Sequence, residues 1–73
     1  MKGKLQRVTA EKIIKILQKH GFSEVRQSGS HKIFRNSQGC RVTVPVHSGS
    51  ILHPKLIKAI LEDAGISPEE LEK

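Results

Sequence analysis

Apolar positions along the chain change period twice. Across residues 9–20 they recur at helical spacing, with Ala10, Ile13, Ile14, Leu17 and His20 on one face and Lys12, Lys15 and Lys19 on the opposite side. Thr9 stands as N-cap, and Val8 and Ile13 occupy the two positions of a hydrophobic staple. Gly21 suits the left-handed position that ends a helix, with Phe22 folding back onto Leu17. The period then falls to two. Residues 23–28, 31–36 and 40–46 read as three short strands, divided by Gly29-Ser30 and by Ser37-Gln38-Gly39. The second divider suits a three-residue hairpin loop with Gly39 left-handed. That loop sets a register of Arg35 opposite Arg41, Ile33 opposite Thr43 and His31 opposite Pro45. After residues 46–53 the helical period returns in Leu56, Ile57, Ile60, Leu61 and Ala64, with Pro54 at the first helical position and Gly65 at the end. Ser67-Pro68-Glu69-Glu70 reads as a capping box opening a last helical turn, with Ile66 and Leu71 as its staple.

The expected order is α-β-β-β-α, an α+β fold in one domain spanning residues 1–73. One three-stranded antiparallel sheet with both helices on one face is the simplest way to bury all three apolar surfaces. Side chains alternate across a strand, so one choice per strand sets both faces. Val42 and Val44 inward send Arg41, Thr43 and Pro45 outward, and Val25 inward sends Arg26 outward. On the second strand Ile33 and Phe34 compete. Burying Phe34 removes more apolar area from water, and the register sets Ile33 beside outward Thr43. The open face then carries Arg26, His31, Arg35 and Arg41, and extending the register brings His47 opposite Gly29 on the same face.

Charge sharpens this picture. Residues 1–58 hold twelve Lys and Arg against two acids, and residues 59–73 hold one Lys against five acids. A basic body with an acidic tail points to a polyanion partner, the bland alternative being a well-solvated basic surface. Phe22 and Phe34 are the only aromatic residues, so anchors for a membrane surface are scarce. The single cysteine, Cys40, excludes an internal disulfide staple and fits a reducing compartment. No apolar run follows the basic Met1–Lys4 start, and none is long enough to span a bilayer, so a cytoplasmic location is expected.

Imidazole titrates near neutrality and can accept or donate a proton at cellular pH. RNA cleavage needs a base for the ribose 2′-OH and an acid for the leaving 5′-oxygen, while arginines stabilise charge developing on the phosphate. A metal-dependent nuclease would instead need clustered carboxylates, and before Glu62 the chain has only Glu11 and Glu24. Bland readings stand beside these. His20 fits a helix C-terminus, His53 a loop or cap, and His31 a polar strand position. A zinc site of Cys40, His31 and His47 matches no recurrent ligand spacing, and Cys40 sits at the far end of the hairpin.

The run Gly29-Ser30-His31-Lys32-Ile33-Phe34-Arg35 resembles the HicA family of bacterial toxins, also described as YcfA-like. The likeness continues through Val42-Thr43-Val44-Pro45-Val46-His47 and from Ile60 to Ser67, covering nearly the whole chain. It implies a double-stranded-RNA-binding-domain-like fold, and a type II toxin–antitoxin component that cleaves mRNA without metal or other cofactor. It also implies a HicB-like antitoxin that masks the toxin. The family's catalytic histidine maps onto His31. His47 as second acid or base follows from the register alone, and Arg26, Ser30, Arg35, Arg41, Lys55 and Lys58 are the expected RNA contacts. Where the family commonly shows Pro-Gly-Thr-Leu entering the second helix, this chain has Pro54-Lys55-Leu56-Ile57, which adds a charge at a helix N-terminus. The competing reading is a non-catalytic double-stranded-RNA-binding module, holding a phosphate backbone through Lys12, Lys15, Lys19, Lys55 and Lys58.

Overall fold

The computed structural model describes residues 8–46 and 51–72. The elements run α1 (Ala10–Lys19), β1 (Ser23–Ser28), β2 (His31–Arg35), β3 (Arg41–Pro45), α2 (Pro54–Ala64) and a 3₁₀ turn, η1 (Pro68–Glu72). The strands form one antiparallel sheet in the order β1-β2-β3. The order and class read from the sequence are those of the molecule.

Local chemistry sets each boundary. The Thr9 side chain accepts the Lys12 amide, capping α1. At the other end Phe22 N–H donates to Leu17 O at 2.9 Å and Gly21 N–H to Gln18 O at 3.1 Å, the paired bonds of a Schellman ending. Gly65 ends α2 in the same way, at φ 72°. His53 caps α2, its Nδ1 accepting the Lys55 amide at 3.0 Å. Between β2 and β3 the three-residue loop forms as expected, with Gly39 at φ 86°. The Asn36 side chain, not singled out in the sequence, also holds it by accepting from the amides of Gln38 and Cys40. The resulting register pairs His31 with Pro45, Ile33 with Thr43 and Arg35 with Arg41, as the loop length requires.

The core gathers Ile13, Ile16 and Leu17 of α1, Phe34, Val42 and Val44 of the sheet, and Ile57, Ile60 and Leu61 of α2, with Phe22, Leu52 and Ile66 closing its ends. Backbone pairing of Thr9 with Ile51 and a Leu52 N–H bond to Val8 O tie the entrances of the two helices together. Several expectations need correction. Ile16, outside the expected face of α1, is buried, whereas Ile14 is half-buried and His20 exposed. The buried stripe is therefore rotated toward Ile16. Glu70 does more than the expected box, since its carboxylate meets His20 Nε2 at 3.4 Å while the Ser67 hydroxyl accepts the Glu69 amide. Strand β3 starts at Arg41 and β2 ends at Arg35, each one residue inside the expected limit.

The largest correction is at β1. Val25 was expected inward and is 53% exposed, because a bulge between Glu24 and Arg26 makes it an extra residue in the ladder. Both helices pack against β3, and no residue of β1 is buried. Neither helix packs closely on β1 among the described residues, so Val25 stays in solvent. On the core-facing side Glu24 instead meets Lys32 at 3.5 Å, a part-exposed pair worth about 0–1 kcal/mol.

The competition at β2 gives a direct check. Phe34→Ala should cost about 3–5 kcal/mol, comparable to all that so small a core supplies, and leave the far-ultraviolet circular dichroism of a largely unfolded chain. Ile33→Ala should cost about 1 kcal/mol or less in urea melts. Equal losses would mean that the two faces are wrongly assigned.

Candidate functional site

Strand parity builds the open face. Phe34, Val42 and Val44 are buried under the helices, so their neighbours His31, Ile33, Arg35, Arg41, Thr43 and Pro45 point to the other side. On β1 the register pairs Ser28 with His31 and Arg26 with Ile33, placing both on that side. Arg26 thus lies where the sequence put it for a different reason, the bulge having reset the alternation that inward Val25 would have set. His31, Arg26, Arg35 and Arg41 are all exposed and share one surface, with half-buried Ile33 among them. No carboxylate lies on this face among the described residues. Glu24 is paired opposite Phe34 and so belongs to the other side.

The turn before His31 explains how that residue is held. Gly29 and Ser30 form a two-residue loop between paired Ser28 and His31, and Gly29 has φ 59° while Ser30 does not take a positive φ. A positive φ at the first central position alone is the type II′ hairpin, which favours glycine there. The Gln27 side-chain amide donates to Gly29 O at 3.0 Å, and Val46 N–H donates to Ser30 O. The turn is therefore gripped from β1 and from the end of β3. These two grips were not read from the sequence. Only the glycine signalled that something specific happens there. His31 begins β2 directly after this braced corner, with its ring open to solvent.

The other expected contacts fall elsewhere. Cys40 Sγ donates to Asp63 O at 2.9 Å, which anchors the C-terminus of α2 beside the β2–β3 loop. The N-terminus of α2, with Lys55, consequently points toward the end of the sheet where His31 faces Pro45. Lys55 and Lys58 are exposed on the helix layer, away from the buried Ile57 and Leu61, and so do not join the arginines on the open face. Ser30 lies in the turn, half-buried. His47 lies outside the described residues. Cys40, half-buried at the far loop, is remote in register from His31, and no group of three potential metal ligands gathers among the described residues. No helix of the described residues is long and apolar enough to cross a membrane.

Among the described residues this surface is basic, free of carboxylates and carries the His31 imidazole, an arrangement that can attract a phosphate backbone and present a proton acceptor to it. A family model described as the HicA toxin of bacterial toxin–antitoxin matches residues 10–66. No curated protein matches the sequence significantly.

Because the turn needs a left-handed φ at its first position, Gly29→Ala should lower stability by about 1–2 kcal/mol, read from the urea midpoint. The same variant should shift the His31 ring resonances in NMR spectra. Unchanged stability and unchanged resonances together would show that this turn does not set the position of His31.

Proposed function

This chain belongs to the HicA toxin family, and on that footing we propose that it is an mRNA endoribonuclease that cleaves without a metal ion. As a HicA protein it is the toxin component of a toxin–antitoxin system. The observation that carries the enzymatic reading is the open sheet face, where His31 has Arg26 two ladder positions away and Arg35 and Arg41 at the far end of the ladder, about 13 Å on, with no carboxylate on that face among the described residues.

In the proposed reaction the His31 imidazole accepts the proton of a ribose 2′-OH. The 2′-oxygen attacks the adjacent phosphorus and the bond from phosphorus to the 5′-oxygen breaks. A second group, assigned to His47, protonates the departing oxygen, leaving a 2′,3′-cyclic phosphate and a 5′-hydroxyl. Arg26, the guanidinium nearest His31 in register, is assigned to the scissile phosphate and to charge developing on its oxygens, and Arg35 and Arg41 to neighbouring phosphates along the strand. Ser30, in the turn before His31, is assigned to RNA binding at this centre, and Lys55 and Lys58 to RNA binding from the helix layer, Lys55 being at its His31 end. The site is proposed to work in the cytoplasm, silenced by a HicB-like antitoxin. An acidic antitoxin surface with an apolar contact for Ile33 would cover His31 and its arginines together.

Cleavage should persist in chelator and vanish when the scissile 2′-OH is replaced by hydrogen. His31→Ala should lose about 10²–10⁴-fold in rate, the usual worth of general acid–base catalysis. His31→Gln keeps a hydrogen-bonding group and cannot shuttle a proton, so it should be equally slow. If Gln retains full rate, His31 only binds RNA. If the wild type binds RNA and never cuts it, the protein is the non-catalytic module instead.

A further inference from the structure

The helix layer carries a second basic feature that the cleavage reading leaves unused. Lys12, Lys15 and Lys19 line an open cleft of about 410 Å³ along the flank of α1, closed on one side by Glu70 of η1. Their spacings of three and four residues set neighbouring side chains about 5–6 Å apart in a row. No ion pair of these lysines forms among the described residues, whereas the Glu70 carboxylate meets His20 at 3.4 Å. We propose that this cleft binds the phosphate backbone of an RNA strand, at a site separate from the His31 face.

Two features favour a nucleic-acid backbone over a protein partner. Among the described residues the cleft has no aromatic side chain, and the one large apolar residue lining it, Ile16, is already buried in the core. Protein interfaces take most of their energy from aromatic and apolar anchors in desolvated pockets, and none is offered here. A row of ammonium groups is instead suited to successive phosphates, to which lysine binds as a point charge. Glu11 and Glu70 also line the cleft, Glu11 in the first turn of α1, where the helix dipole favours it, and Glu70 in contact with the His20 ring, so three lysines there stand against two carboxylates.

Position makes the site independent. α1 buries Ala10, Ile13 and Leu17 against the core side of the sheet, while His31 points from the other side. The cleft and the imidazole therefore lie on opposite faces of the sheet. A partner that covers the open face would leave the lysines accessible, and the masked protein would still hold RNA.

The inference rests on RNA being the target, and binding tests it apart from cleavage. Full-length His31→Ala protein would be titrated with a fluorescent single-stranded RNA at several salt concentrations. Adding Lys12→Gln, Lys15→Gln and Lys19→Gln together should weaken binding about tenfold or more at low salt. It should also reduce the slope of log K against log salt by about 2, the value for three phosphates on a single strand. The corresponding triple Lys→Arg variant keeps the charge and should restore both, which separates charge from any loss of folding. Equal affinity and slope in the Gln variant overturns the inference. So does competition at these lysines by poly-glutamate with no competition by RNA, which would assign the cleft to an acidic protein. Lysine-dependent binding by a wild-type protein that never cleaves would leave this site standing and remove the nuclease reading alone. Cleavage with lysine-independent binding would do the reverse.

Discussion

Burial of the Phe34 ring is the constraint on which the arrangement depends. Ile33 and Phe34 are adjacent, and a strand can turn only one of them inward. Phe34 is fully buried with Val42 and Val44 beneath the helices, so His31, Ile33 and Arg35 must point the other way. A slip of one residue would bury His31 and Arg35 without partners, at a cost far above what a core of this size returns. The same packing that stabilises the domain therefore exposes its candidate chemistry. The second strand cannot be repacked without moving the site.

Around that fixed strand, the two ends of the sheet are treated differently. The β2–β3 end is fastened by Asn36 and by the Cys40 thiol on Asp63 O, and holds Arg35 and Arg41 but no proton-transfer group of the proposed site. At the other end lie the type II′ turn, the start of β2 and the tied entrances of both helices. His31 sits at this second end, on a short braced corner and not within a long loop. Placing a proton-transfer group on such a corner limits its backbone freedom while leaving its ring open to substrate.

The uncovered first strand follows from size. Two short helices cover the buried side chains of β2 and β3, and among the described residues no element buries β1. That strand is consequently polar on its core-facing side, carries a bulge, and is exposed throughout. A bulged, charged edge also discourages pairing with another chain, so exposure there does not create a sticky border. The opposite edge is blunted by Pro45, which has no N–H to offer.

Element order, caps, the three-residue loop and the facing of β2 and β3 were legible from residues close together in the chain. Thr9, Gly21, Gly39, Pro54 and Gly65 act within a turn of where they stand, so their effect does not depend on the rest of the fold. The Gly-Ser-His run and the family likeness single out His31 as the residue on which the proposed chemistry rests. What lay above each surface was not legible, because cover is a property of packing between distant segments. Val25 looks apolar and inward by alternation, yet no helix reaches it. Ile16 lies off the expected stripe, yet the core reaches round to it. The lysines of both helices read as one basic inventory with the arginines of the sheet. Only the tertiary structure divided them, setting Lys12, Lys15, Lys19, Lys55 and Lys58 in the helix layer and leaving the arginines with His31, since the sheet itself stands between the two surfaces.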